Sequence, residues 1–115
     1  MSTLCHCRSC RLASGAPSVG WVVFGTDDVA FEGERRMYAS SPGITRSFCP
    51  HCGTSLTWQR DDQPGSIDLQ AATLDDASAF PPTKEIWLEE KIAWEAVNPA
   101  TAHYARSSAG AEPID

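Results

Sequence analysis

Residues 4–11 read Leu4-Cys5-His6-Cys7-Arg8-Ser9-Cys10-Arg11 and hold three of the chain's five cysteines, with the spacing C-x-C-x-x-C. Three thiols so close along the chain can converge on one centre. In a reducing compartment, closely spaced thiols are more often metal ligands or catalytic groups than disulfides. The stretch therefore predicts a zinc site close to the start of the chain.

The remaining two cysteines, Cys49 and Cys52, lie in a second cluster at residues 48–54, Phe-Cys-Pro-His-Cys-Gly-Thr. Two residues between the cysteines let both thiolates reach one tetrahedral zinc at about 2.3 Å. Gly53 can adopt the positive φ that a tight turn requires at this point. The motif is typical of a zinc knuckle at the tip of a β-hairpin, and it predicts that Cys49 and Cys52 bind metal.

The division of the five sulfurs between sites is left open by their spacing. A structural zinc has four ligands, and the knuckle supplies only two. If two of Cys5, Cys7 and Cys10 complete that site, the protein is a one-zinc structural module. If the trio holds its own metal, a fourth tetrahedral position stays open, as in catalytic zinc sites. Further possible donors are His6, His51 and His103.

Composition and charge narrow the class of protein. The chain has 115 residues, a formal net charge of −6 and a pI near 4.9. An acidic surface disfavours binding to nucleic acid or to an anionic membrane, since both require an excess of Lys and Arg. The longest apolar run, residues 21–24, is too short for a signal peptide or a membrane span. We expect a cytoplasmic protein that binds neither nucleic acid nor membrane.

Alternating apolar residues and frequent turn signals predict a mainly β fold. Residues 18–24 have apolar side chains on both faces of the predicted strand, which indicates a strand covered on both sides at the centre of the sheet. One helical turn is expected before Gly15. We expect a single domain over residues 1–106 and a flexible tail over residues 107–115. The predicted strands are residues 18–24, 29–31, 35–39, 44–48, 54–58, 66–74 and 83–88.

Over residues 4–94 the sequence resembles the glutathione-dependent formaldehyde-activating enzymes and their relatives, which include centromere protein V. The resemblance implies an Mss4-like fold of short antiparallel sheets with a zinc-binding hairpin. It also implies that Cys5, Cys7 and Cys10 form a catalytic zinc site, and that Cys49 and Cys52 supply half of a structural zinc site. It rests on three blocks in order: residues 5–10 with 13–17, residues 48–56, and residues 74–76 with 80–82 and 86–87.

One feature of the family is missing from this sequence. In the family, another C-x-C on an upstream strand completes the structural site, whereas only residues 1–4 precede Cys5 here. We therefore expect a fold that lacks the family's N-terminal strand. Either the sequence is a shortened form of a longer chain, or the structural zinc is absent, or the trio completes the structural site and no catalytic metal remains. Loss of the strand would uncover a sheet edge, and an uncovered edge invites pairing with another chain, so we expect a homodimer.

The implied activity is that of a carbon-sulfur lyase of the S-(hydroxymethyl)glutathione synthase type. A zinc-bound thiolate of glutathione would add to formaldehyde or a related aldehyde. A free thiol of pKa about 8.5 is only a few per cent ionised at pH 7, so coordination raises the reactive fraction about 30-fold. Arg8 is the candidate for binding a glutathione carboxylate. The alternative is a non-catalytic, zinc-stabilised β module that binds a partner.

Overall fold

The computed structural model describes residues 1–114 and confirms the mainly β fold. Eight strands form one sheet, and a single short helix, α1 (Arg8–Ser14), occurs in the described residues. The helix follows the first strand directly and ends at Gly15, whose φ of 73° closes its last turn. The strands are β1 (Ser2–Cys5), β2 (Val19–Gly25), β3 (Arg36–Ser41), β4 (Ile44–Phe48), β5 (Ser55–Arg60), β6 (Ser66–Gln70), β7 (Lys84–Ile86) and β8 (Ala102–His103).

The strand order in the sheet is β3-β4-β5-β6-β2-β1-β7-β8. Most pairs are antiparallel, as expected, but β7 runs parallel to both β1 and β8. The first strand, β1, has a hydrogen-bonded neighbour on each side and is therefore not an uncovered edge of the sheet. The edges of the sheet are β3 and β8, and the homodimer stays a prediction.

Strand β2 lies at the centre of the sheet, as its two apolar faces predicted. It pairs with β1 on one side and with β6 on the other. Val19, Trp21 and Val22 are buried along it, and Ile67 of β6 is buried beside them. Val19 and Trp21 form one buried apolar cluster with Cys5 and Cys10, so this part of the core packs directly against the cysteine trio.

Several local predictions differ from the structure. The strand expected at residues 29–31 is wrong: Val29 ends a 3₁₀ turn (Thr26–Asp28), and no neighbouring strand pairs with this segment. Strand β6 ends at Gln70 instead of residue 74, because a second 3₁₀ turn (Ala71–Thr73) begins there. Strands β1 and β8 were not predicted, since four and two residues carry too little alternating pattern to be recognised.

The C-terminal segment runs back along the sheet. Lys84 Nζ donates to Ser108 Oγ at 2.6 Å, and the Ile114 N–H donates to the His103 carbonyl at 2.8 Å. The single domain over residues 1–106 and the flexible tail remain predictions, and Asp115 lies outside the described residues. Within residues 1–114 no helix is long and apolar enough to cross a membrane.

Candidate metal centre

The cysteine trio is assembled where β1 gives way to α1. Cys5 ends the strand, and Cys7 is the N-cap of the helix, its Sγ accepting the Cys10 N–H at 3.2 Å. All three cysteines are free thiols, with Cys5 and Cys10 buried and Cys7 half-buried. The three Sγ atoms lie within 4.8 Å of one another. The predicted convergence of the trio is therefore found, and it results from a strand-to-helix turn of only two residues.

The three cysteine thiols differ in pKa, and therefore in how readily each one loses its proton. Hydrogen bonds from Cys5, then Cys7, and after them from Arg46 lower the pKa of Cys10, although burial opposes this. The hydrogen bond to Cys10 is the main cause that raises the pKa of Cys5 and of Cys7. Cys10 is thus the first of the three to become a thiolate. The thiols of Cys5 and Cys7 stay protonated and donate hydrogen bonds to it.

The donor set suits a soft or borderline metal ion. Thiolates bind Zn²⁺ at about 2.3 Å, which places tetrahedral sulfurs about 3.8 Å apart, and the observed spacing of the cluster admits this. Among residues 1–114 this is the only group of three or more Cys, His, Asp or Glu ligands close enough to hold a metal. The residues present therefore fit a zinc ion with three protein ligands, which leaves one coordination position free.

His6, between two of the cysteines, does not join the cluster. Its Nε2 meets Glu85 Oε1 at 2.8 Å, and both side chains are fully buried. The other carboxylate oxygen accepts from Thr101 Oγ1 at 2.6 Å and from the Asn98 N–H at 2.9 Å. Burial disfavours the Glu85 carboxylate, but the hydrogen bonds from Thr101, His6 and Asn98 outweigh it and lower its pKa. This network fixes the Cys5–Cys7 turn onto β7.

The other two histidines are engaged away from the cluster. His103 Nε2 lies 2.8 Å from the Asn98 carbonyl oxygen. His51 is exposed and lies 3.8 Å from Glu34. None of the three histidines belongs to the metal-ligand group found within residues 1–114.

A cavity of about 770 Å³ opens beside the trio. One face of the sheet forms its floor, because Arg46, Trp58 and Asp68 stand opposite one another on β4, β5 and β6. Trp87, which has a positive φ of 58°, also lines the cavity and packs against the buried cysteine cluster. Both Cys5 and Cys10, and the less buried Cys7, lie on the cavity wall, so a small molecule in the cavity would meet the sulfurs.

Two charged residues of this cavity were not predicted. Arg46 is buried; its Nη2 donates to Cys10 Sγ at 3.5 Å, and its Nη1 has no hydrogen-bond partner in the described chain. Burial, and then the negative charge of Cys10, raise the pKa of Asp68 to about 6. In the sequence of β4, Arg46 alternates onto the same side as Ile44 and Phe48, and a charge on that apolar side was the available signal.

Arg8, the predicted binder of a glutathione carboxylate, is exposed and does not line the cavity. Its backbone N–H donates to Glu90 Oε1 at 2.9 Å. The predicted role of Arg8 remains a prediction. The arginine that contacts a sulfur of the trio is Arg46.

The second cysteine pair forms the expected hairpin tip. The Gly53 N–H donates to the Cys49 carbonyl at 2.7 Å, Gly53 has a φ of 80°, and Cys52 Sγ lies 3.0 Å from Thr54 Oγ1. Within residues 1–114 no third ligand joins Cys49 and Cys52 in a metal-binding group, and the trio does not extend to them. Metal binding by Cys49 and Cys52 remains a prediction. In the described geometry, the sulfurs of the trio do not lie close enough to this pair to share one metal ion with it.

Comparison with known proteins shows which family the chain belongs to. A family model described as "Glutathione-dependent formaldehyde-activating enzyme" matches residues 1–90, more than three quarters of the chain. No curated protein matched the chain. The matched region contains all five cysteines and the strands that line the cavity up to β7. The chain therefore belongs to the glutathione-dependent formaldehyde-activating enzyme family.

Proposed function

We propose that this protein is a zinc-dependent carbon-sulfur lyase that joins a thiol, glutathione or a relative of it, to formaldehyde or a related aldehyde. The observation that carries the proposal is the position of the Cys5, Cys7 and Cys10 sulfurs on the wall of a cavity of about 770 Å³. Cavities that hold small ligands have volumes of about 300–1,000 Å³. Family membership supports glutathione and formaldehyde as the substrates.

Cys5, Cys7 and Cys10 would hold the metal. When bound, Zn²⁺ supplies a Lewis acid that keeps a substrate thiol in its thiolate form at neutral pH. The cysteines' own contribution is a fixed, preformed set of donors, since Cys5 and Cys10 are buried and the N–H of Cys10 orients the sulfur of Cys7.

Asp68 would transfer the proton from the substrate thiol to the product oxygen. As the carbon–sulfur bond forms, the carbonyl π electrons pass to oxygen, which must then be protonated, while the thiol loses a proton of its own. A carboxyl group in the cavity can accept the thiol proton and return it to the alkoxide, so no proton is gained or lost overall. The raised pKa of Asp68, about 6, brings it close to the neutral range in which such a group transfers protons efficiently.

The aromatic walls would limit the access of water. Trp21 is buried, and Trp58 and Trp87 are partly buried around the cysteines. Apolar walls favour the carbonyl form of the aldehyde over its hydrate, because they offer no hydrogen bonds to a second hydroxyl group. They also strengthen the electrostatic interactions of the charged groups in the cavity. We place the protein in the cytoplasm, where glutathione keeps thiols reduced.

Exchange between ¹³C-formaldehyde and its glutathione adduct, followed by NMR, tests the proposal. The zinc-loaded protein should accelerate exchange above the spontaneous rate, and Cys7→Ser should abolish the acceleration. Cys7 suits this variant because it is the least buried ligand of the trio. Leu12→Ser is the control, since Leu12 lies in α1, is exposed and does not line the cavity.

Zinc content measured on the same samples separates the two functional classes. One zinc bound by the trio together with faster exchange supports the enzyme. One zinc bound by the trio with no acceleration would instead identify a non-catalytic β module that uses the metal for stability, and the proposed activity would be wrong.

A further inference from the structure

Arg46 carries a buried positive charge that no carboxylate of residues 1–114 balances. The residue is only 3 % exposed, and the ion pairs found in the described chain do not include it. A charge buried without a counter-charge is strongly unfavourable. The negative group beside it is the sulfur cluster, which Arg46 contacts at Cys10 Sγ.

Three hydrogen bonds hold the guanidinium group against this cluster. Its Nε donates to Ser40 Oγ at 3.2 Å, and its Nη2 donates to Ser9 Oγ at 3.1 Å and to Cys10 Sγ at 3.5 Å. Ser9 lies in α1 and Ser40 lies in β3, so two separate elements orient the side chain. The planar, forked guanidinium can make these contacts together, which a lysine ammonium group cannot do in the same geometry.

The charges of a loaded site require such a partner. Three cysteinates around a divalent cation have a net charge of −1, and burial penalises a net charge. The positive charge of Arg46 would bring the total to zero. Groups that hydrogen-bond to metal ligands orient those ligands, and their replacement lowers metal affinity about 10- to 100-fold.

We propose that Arg46 is a positioning residue of the metal centre, which orients the Cys10 thiolate and balances the charge of the loaded cluster. The inference rests on the metal site of the proposed function. It adds a residue 36 positions from Cys10 in sequence to that site. Because the balanced centre is neutral, it can accept an anionic sulfur as a fourth ligand at a lower electrostatic cost.

Competition with a chromophoric chelator tests this inference through zinc affinity. Arg46→Gln removes the charge and should weaken Zn²⁺ binding about 10- to 100-fold. Arg46→Lys keeps the positive charge but lacks the forked guanidinium group, so its Zn²⁺ affinity should lie between those of wild type and Arg46→Gln. Arg60→Gln is the matched control: Arg60 lines the same cavity but pairs with Asp62 at 2.7 Å, and it should leave zinc affinity unchanged.

The absorption spectrum of the Co²⁺-substituted protein gives a readout that a purely structural role would not change. A positive donor at Cys10 Sγ lowers the energy of the sulfur lone pairs. Arg46→Gln should therefore move the sulfur-to-cobalt charge-transfer band to longer wavelength, and Arg60→Gln should not. Ser9→Ala, which removes one anchor of the guanidinium from an exposed position, should shift the band in the same direction by a smaller amount.

The outcomes separate this inference from the proposed function. Equal zinc affinity and an identical cobalt spectrum in wild type and Arg46→Gln would overturn the role of Arg46 while leaving the enzyme proposal intact. An equal loss of affinity in Arg60→Gln would also overturn it, because the effect would then be one of general charge. A wild-type trio that binds neither ion would refute both. If circular dichroism shows that Arg46→Gln is unfolded, the cobalt spectrum of Ser9→Ala tests the role of Arg46 instead. A band shifted to longer wavelength would support that role, and an unchanged band would overturn it.

Discussion

Asp68→Asn should stabilise the protein at neutral pH, although it removes the proposed proton carrier. Burial, and then the charge of Cys10, raise the pKa of Asp68 from its usual 3.8 to about 6. Each pKa unit corresponds to 1.36 kcal/mol, so the ionised side chain destabilises the fold by about 3 kcal/mol above pH 7. Asparagine has a similar shape and no charge, and Asp68 has no hydrogen bond among the described contacts whose loss would offset the gain.

The pH dependence follows from the direction of this change. The folded protein binds the Asp68 proton more tightly than the unfolded chain does, so stability falls as pH rises from about 4 to about 6 and is constant above that range. The advantage of Asp68→Asn should therefore be about 3 kcal/mol at pH 8 and about half of that at pH 5. For a domain of this size, about 3 kcal/mol corresponds to a Tm higher by about 10 °C.

Urea unfolding of wild type and variant, measured at both pH values, checks the prediction. Asp61→Asn is the control, because Asp61 also lines the cavity but is exposed, and its replacement should have little effect at either pH. A stabilisation of the same size at pH 5 and pH 8 would show a packing effect and refute the electrostatic reasoning. In the same preparation, Asp68→Asn should lose the accelerated exchange of the glutathione adduct, so the variant would trade activity for stability.

Three further predictions concern the fold. Glu85→Ala should destabilise the protein by about 3–5 kcal/mol in urea unfolding, because His6 and Thr101 lose their buried acceptor; a loss below about 1 kcal/mol would contradict the network's importance. Gly53→Ala should cost about 1–2 kcal/mol, because the φ of 80° is unfavourable for a residue with a Cβ. Gly65→Ala, with no positive φ and open space around it, should cost much less. Light scattering should give twice the 12.4 kDa chain mass for the predicted homodimer, and a monomer at assay concentration would refute it.

The cysteine sites could be predicted because their ligands lie close together in the chain. Cys5, Cys7 and Cys10 span six positions, and one strand-to-helix turn is enough to bring them together. The hairpin tip at Cys49 and Cys52 was predictable for the same reason, since a turn of four residues has few conformations. Most strands were also predictable, because alternating apolar residues report directly on which face of a strand is buried.

Strand pairing could not be predicted in the same way. Residues 29–31 have the composition of a strand but no neighbour to pair with, whereas β8 has almost no pattern and is held by hydrogen bonds to β7. A strand is stable only when another strand satisfies its backbone groups, and that partner can lie anywhere in the chain. The parallel pairing of β1 with β7, which covers β1, joins residues about 80 positions apart.

A small β protein with a sulfur site of zinc-binding spacing could be recognised from the sequence, since those properties depend on neighbouring residues. The surroundings of the sulfurs could be learned from the folded chain alone. It placed Arg46 against Cys10, Asp68 on the floor of the cavity, and Glu85 beneath His6. The contacts of Arg46 with Cys10 and of Glu85 with His6 join residues more than thirty positions apart, and burial of these groups depends on how the whole sheet closes around them.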